Sequence, residues 1–268
     1  MPVREPRVPE GVDVTIPSVA RMYDYLLGGK DNFAADREAA ARLVELVPEA
    51  QQIARDNRAF MVRAVRFLAE SGVEQFIDLG TGIPTSPNVH EVARQVRPAA
   101  RVVYVDHDPV VLAHSRALLA TDDGVISVRA DLRDPDGVVA DPAVAKLIDF
   151  SQPVAVLILS VLHFVSDEEG PGEIVAGFTG RLAPGGCLVI SAITSDGVDE
   201  GTAAGAADLY RAARTPAVAR SGEQMAEYFA GCDLVEPGLV SLVKWRPDAG
   251  TSSRQTQVHM LAGVGRKR

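Results

Sequence analysis

Gln75-Phe76-Ile77-Asp78-Leu79-Gly80-Thr81-Gly82 sets a short, almost wholly apolar run against a glycine-bounded turn. A strand with helices on both faces reads this way, because neither face is available for polar residues. The same pattern recurs at 101–105, 125–129, 154–159 and 187–193, each bounded by Gly, Pro or Asp. Helical stretches fall between them, at 86–96, 109–120, more weakly at 137–148, and at 172–182. In the first, Val89, Val92, Ala93 and Val96 recur at amphipathic spacing. The strand-to-strand distance suits right-handed crossovers, which need about 30 residues each. The expected product is an α/β domain built on a parallel sheet.

Outward from this core the pattern changes at both ends. Ser221 with Gln224 three residues later is a capping box opening a helix over 221–230. Strands are expected at 239–245 and 257–264, with a polar loop, 246–256, that holds no helix, so this pair is expected to be an antiparallel hairpin. By fold analogy, such an ending separates methyltransferase-type sheets from ordinary dinucleotide-binding ones. Toward the N-terminus, Pro17-Ser18 opens a helix that Gly28-Gly29 closes in left-handed geometry. Further helices follow at 36–46 and 49–70, broken at Pro48. The chain thus divides into a helical cap, 1–72, and a sheet domain, 73–268, whose insertion 194–220 is expected over the carboxyl edge of the sheet.

The 268 residues are 47% hydrophobic and 24% charged, an ordinary globular balance. A net charge of −9 argues against a nucleic-acid or anionic-membrane partner. The tail Gly265-Arg266-Lys267-Arg268 reads as a solvated end. Cys187 and Cys232 are too few for a disulfide framework or a zinc site, and Cys187 reads as a buried small hydrophobe. His90, His107, His114, His163 and His259 show no paired ligand spacing, so no metal is expected. The N-terminus has no secretion signal, and the longest apolar segment, 154–165, is interrupted by Ser160 and His163. A soluble, cytoplasmic protein is the expectation.

In open α/β sheets ligands bind outside the carboxyl ends of the strands. Here those ends read Asp78-Leu79-Gly80-Thr81-Gly82, Val105-Asp106-His107-Asp108, Ala130-Asp131-Leu132 and Leu159-Ser160-Val161-Leu162-His163. Three neighbouring strand ends each deliver an aspartate to one edge. Such a row repels a pyrophosphate and attracts a sulfonium and an ammonium, the charges of S-adenosylmethionine. The third glycine of the dinucleotide fingerprint is missing as well, with Thr85 in its place, so a nicotinamide-dependent reductase is disfavoured. Lys30 after Gly28-Gly29 fails as a phosphate loop, because Asp24 and Asp31 stand where Gly and Ser or Thr are needed.

Residues 75–193 resemble the class I, Rossmann-like S-adenosylmethionine-dependent methyltransferase fold. The stretch Ser18-Val19-Ala20-Arg21-Met22-Tyr23-Asp24-Tyr25-Leu26-Leu27-Gly28-Gly29-Lys30-Asp31-Asn32-Phe33 is similar to the opening of an actinobacterial family of such methyltransferases, long catalogued as a domain of unknown function. The resemblance implies that Asp78, Gly80, Thr81 and Gly82 line the methionine moiety. It implies that Asp106 holds the ribose, with His107 beside the adenosine, that Asp131 and Leu132 contact adenine, and that Ser160 faces the methyl-transfer centre. Ile83-Pro84 departs from the commoner glycine motif.

Two roles are read with an alternative beside each. Tyr23, Tyr25 or Asn32 could close the segment 21–33 over the cofactor, against a helix that merely packs on the surface. His163 could act as general base, against a histidine held structurally in its loop. The acceptor is expected to be a small molecule between the N-terminal helices and the insertion, which carries Tyr210, Arg211 and Arg214. The competing function is a cofactor-binding sensor or partner protein without catalysis. Oligomeric state is left open.

Overall fold

In the computed structural model, which describes residues 13–118, 123–248 and 260–268, eight strands form a single mixed sheet. Three helices precede it: α1 (Val19–Leu26), α2 (Ala34–Leu46) and α3 (Ala50–Glu70). The alternating part follows as β1 (Gln75–Leu79), α4 (Val89–Val96), β2 (Arg101–Asp106), α5 (Pro109–Leu118), β3 (Val125–Arg129), α6 (Pro135–Ala140), α7 (Pro142–Leu147), β4 (Ala155–Leu159), α8 (Pro171–Thr179) and β5 (Cys187–Ile193). The chain ends with α9 (Glu200–Ala212), α10 (Gly222–Glu227), β6 (Cys232–Leu234), β7 (Val240–Ser241) and β8 (Met260–Lys267).

The strand order is β3-β2-β1-β4-β5-β8-β6, with β7 also pairing to β8. Strands β1 to β5 are parallel, and β8 runs antiparallel to β5, β6 and β7. Alternate strand residues serve two helical layers. Phe76, Val102, Tyr104 and Leu157 face Phe60, Ala64 and Leu68 of α3. Ile77, Val103, Val105 and Ile158 face Val138, Val144, Val175 and Phe178 of α6, α7 and α8. Reversal of strand order on either side of β1 opens a crevice at the strand tips.

The five central strands lie where the apolar runs placed them. The weak stretch 137–148 is two helices, each opened by an Asp-Pro pair. Asp134 accepts from the Gly137 N–H and Asp141 from the Ala143 and Val144 N–H groups, while Pro135 and Pro142 sit where no helical donor is needed. The Ser221 capping box forms as expected, but α10 is shorter than 221–230 because i→i+3 bonds tighten its end at residues 228–230. Helix α4 starts at Val89 rather than at 86. Residues 119–120 of the expected fifth helix lie outside the described residues.

The C-terminal expectation needs correction in detail. Of 239–245 only Val240–Ser241 pairs, and Leu242–Lys244 is a 3₁₀ turn. Trp245 leaves the sheet to pack edge-on against Phe60 and Phe67, at ring separations of 5.3 and 5.8 Å. Arg63 of α3 holds that turn by donating to the Leu242 and Trp245 carbonyls at 2.7 and 2.9 Å. Strand β6 was not anticipated, and residues 249–259, most of the expected loop and the start of its second strand, lie outside the described residues. The tail is not a free solvated end, because Gly265, Arg266 and Lys267 belong to β8 and only Arg268 is exposed. Cys187 is fully buried, as expected. Among the described residues no helix is long and apolar enough to cross a membrane.

Candidate active site

The parallel register brings Leu79, Val105 and Ile158 level, so residues 80–82, 106–108 and 160 emerge at one edge of the sheet. Above that edge lies a cavity of about 1400 Å³. Its wall contains Asp78, Gly80, Thr81, Gly82, Asp106, His107, Asp131, Leu132, Ser160, His163 and Tyr23. Two of the expected residues, Tyr25 and Asn32, are missing from the wall. Asn32 is buried in the N-terminal segment, where its amide donates to Asp24 at 2.8 Å and to the Gly29 carbonyl at 3.1 Å.

The turn after β1 takes its path from two glycines. Gly80 has φ +69°, and a Cβ there would stand 2.6 Å from Cγ2 of Val161. Gly82 has φ +66°, with open space on its Cβ side. Its N–H donates to one Asp106 carboxylate oxygen at 2.9 Å, and the Asp108 N–H donates to the other at 2.9 Å. Burial raises the Asp106 carboxyl above its usual range, against the pull of those N–H groups. Asp78 is also buried, 8% exposed, and its carboxylate makes no hydrogen bond within the described residues. Burial pushes its pKa up to about 7, with Arg58 opposing the rise and Asp106 adding to it. A buried carboxylate without a donor at a cavity wall fits a cationic ligand group. Asp131 is more open, accepting from the Arg133 N–H and guanidinium.

Ser160 sits at the tip of β4 in the left-handed region, φ 59°. Its N–H donates to the Ser191 carbonyl at 2.8 Å and to the Ser191 hydroxyl at 3.1 Å. From there a hydrogen-bonded chain runs into the helical cap. The Ser191 hydroxyl donates to Oδ1 of Asn57 at 2.6 Å, Nδ2 of Asn57 to the Tyr23 hydroxyl at 2.9 Å, and Tyr23 to the Ala54 carbonyl at 3.1 Å. Tyr23 therefore does reach the site, through α3. Asn57 and Arg58 were missed in the sequence, and nothing in an amphipathic helix marked them. Ser191, a lone hydroxyl in an apolar strand, was the one available signal.

His163 is buried, and burial together with the Arg220 guanidinium lowers its pKa to about 3. Its imidazole is neutral at physiological pH and a weak base. The loop around it is fixed by Arg220, which donates to the Leu162 and Val165 carbonyls at 3.0 and 2.8 Å and pairs with Asp167 at 2.7 Å. These contacts support the structural alternative read for His163.

Much of the N-terminal signature holds the cap in shape. Asp36, fully buried, accepts from Arg21 at 2.7 Å and from the Ser18 and Phe33 N–H groups. Asp24 accepts from the Asp31 N–H and Asn32, and Gly28 closes α1 with φ +85°. Two contacts join this cap to the β2 tip and the helix after it: the Ser18 hydroxyl donates to Asp108 at 3.3 Å, and His114 of α5 lies 3.7 Å from Asp31. The insertion 194–220 carries α9, whose residues Ala203, Ala206, Ala207 and Tyr210 line the cavity. Arg214 also lines it, whereas Arg211 pairs with Asp208 on the surface.

The sequence profile of the family described as S-adenosyl methyltransferase matches residues 6–268. The chain belongs to that family. It is an S-adenosylmethionine-dependent methyltransferase, and S-adenosylmethionine is its cofactor. A crystal structure from Thermobifida fusca, described as a candidate methyltransferase, is 42% identical and superposes with a TM-score of 0.91, over 97% of this chain and 98% of that one. A DUF574 family protein from Streptomyces avermitilis is 39% identical with a TM-score of 0.90, over 96% and 99% of the two chains. No curated protein matches the chain.

Proposed function

We propose that this methyltransferase modifies a small-molecule acceptor and holds its cofactor across the tips of β1, β2, β3 and β4. The observation that carries the reading is the pair of buried carboxylates, Asp78 and Asp106, beneath one cavity with Gly80 and Gly82 between them. Asp78, with no donor of its own, would take the ammonium of the methionine moiety. Gly80, Thr81 and Gly82 would let the backbone approach it closely. Asp106, each of whose oxygens is held by one N–H, keeps further lone pairs for the ribose hydroxyls. His107, Asp131 and Leu132 would border the adenosine, and Ser160 the reacting end. When bound, S-adenosylmethionine supplies an electrophilic methyl group whose displacement by an acceptor lone pair leaves the bonding electrons on sulfur as a thioether. The chain contributes alignment and exclusion of water, the terms that matter most in such a displacement. A deprotonating role for His163 is not favoured by its low proton affinity.

The cytoplasmic assignment is supported by two unpaired, buried cysteines, and a non-nucleic-acid partner by the net charge of −9. An actinobacterial origin is supported by the Thermobifida and Streptomyces structures. Calorimetric titration with S-adenosylhomocysteine tests the site. Saturable heat that disappears in both Asp78→Ala and Asp106→Ala supports the assignment, and unaltered affinity in those variants overturns it.

A further inference from the structure

The cavity is larger than a cofactor requires. Single-ligand pockets hold roughly 300–1,000 Å³, against about 1400 Å³ here. The acidic strand tips account for the end above β3, β2 and β1. The other end, toward β4 and β5, is built differently. Met22 of α1, Leu43 of α2, Val47 just after it, and Ala206 and Tyr210 of α9 form its walls and pack as one apolar cluster, and Ile53 of α3 joins them from the core between α3 and the sheet. Three charged side chains reach that end, Asp13, Glu200 and Arg214, and all are exposed to solvent. Arg21, which also reaches the wall, is already paired with Asp36. Away from those three solvent-exposed groups, a ligand group bearing a net charge would find no partner against the apolar walls, and burying it unpaired is strongly unfavourable. One polar group stands among them without a partner: the Tyr210 hydroxyl makes no hydrogen bond within the described residues. Its ring lies edge-on to Phe164 at 5.2 Å. Burial keeps its phenol protonated, with a pKa of about 12, so it can donate one hydrogen bond.

We propose that the acceptor is a predominantly apolar, uncharged small molecule whose hydrophobic body lies between α1–α3 and α9, with the Tyr210 hydroxyl donating to its polar end. The inference rests on the cofactor lying at the acidic end. It specifies what shares the cavity: a molecule of fused rings or alkyl chain, rather than an amino acid, a sugar or a phosphorylated metabolite.

The test uses N-phenyl-1-naphthylamine, a neutral apolar dye that brightens in apolar surroundings, titrated into the chain saturated with S-adenosylhomocysteine. Saturable binding of one dye per chain is expected. Naphthalene-2-sulfonate, similar in its ring but charged, should displace the dye with an affinity at least about tenfold weaker. Ala206→Phe, which fills the chamber, and Ala207→Asp, which charges it, should each weaken dye binding by about tenfold or more while leaving the heat of S-adenosylhomocysteine binding in place. That heat also shows that each variant is folded. Absence of saturable dye binding, stronger binding by the sulfonate, or two folded variants that bind dye normally would each overturn the proposal with the cofactor assignment intact. Loss of S-adenosylhomocysteine binding by the wild-type chain overturns the cofactor assignment instead. The dye titration of the chain alone still decides the apolar chamber.

Discussion

Protonation of Asp78 should report directly on what its carboxylate binds. Its pKa of about 7 means that about nine tenths of ligand-free molecules carry the proton at pH 6 and about half at pH 7. A ligand ammonium placed against the carboxylate favours the ionised form, so binding at pH 6 should expel close to one proton. The dissociation constant for S-adenosylhomocysteine should rise about fivefold from pH 7 to pH 6. Titration calorimetry at pH 6 in two buffers of different ionisation enthalpy reads the proton number, and Asp78→Asn should reduce it to near zero. A linked stability change follows with a defined sign. Between the ordinary value of 3.8 and about 7 the folded chain holds a proton that the unfolded chain has released. Ligand-free stability from this group therefore falls as pH rises through that window, by about 4 kcal/mol in all at 1.4 kcal/mol per unit. Asp78→Asn should accordingly raise the urea midpoint at pH 8 without ligand. Identical binding enthalpies in the two buffers at pH 6, with binding intact, would refute the role given to Asp78.

Other consequences are more local. Arg63→Ala leaves two buried carbonyls without donors and should lower unfolding free energy in urea by about 3 kcal/mol, at 1–3 kcal/mol per lost partner; a loss below 1 kcal/mol would contradict the anchoring of Trp245. Gly80→Ala imposes a left-handed penalty of about 1–2 kcal/mol and an overlap with Val161. It should weaken S-adenosylhomocysteine by more than about tenfold, and unchanged affinity counts against the described turn. The His163 ring resonances should not move between pH 8 and pH 5, since its pKa of about 3 lies below that range; a midpoint above 5 would restore the general base.

The parts of the molecule legible in sequence are those whose information is local. Strands β1 to β5 announce themselves because burial on both faces leaves no room for polar residues, and α10 because its capping box spans four positions. The strand-tip aspartates and glycines were readable for the same reason. Trp245 misled because a short apolar run describes a strand equally well whether its aromatic end stays in the sheet or turns toward α3. What decides is Arg63, which donates to carbonyls 179 and 182 residues away. Helix α9 was missed because its alanines and glycines give little apolar periodicity, although Asp199, which accepts from the Thr202 N–H, was an available cap signal. Asn32 was misassigned because a polar residue near a site looks the same whether it faces the ligand or ties a loop to Asp24. The chain from Tyr23 through Asn57 to Ser191 and Ser160 joins four distant segments, Asn57 and Ser191 being 134 positions apart. No spacing rule could have assembled it.

The position of β8 makes one late strand the link between the last part of the chain and the rest of the sheet. Among the described residues β6 and β7 have no sheet partner except β8, which itself pairs with β5 some seventy positions earlier in the chain. Residues 232–241 therefore join the sheet only through strand 260–267 and its pairing onto β5. The β5–β8 closure spans a longer loop than either β6–β8 or β7–β8, so it is the step with the larger entropic cost. Until then β5 offers a bare hydrophobic edge, the moment at which this chain is most exposed to mispairing with its neighbours.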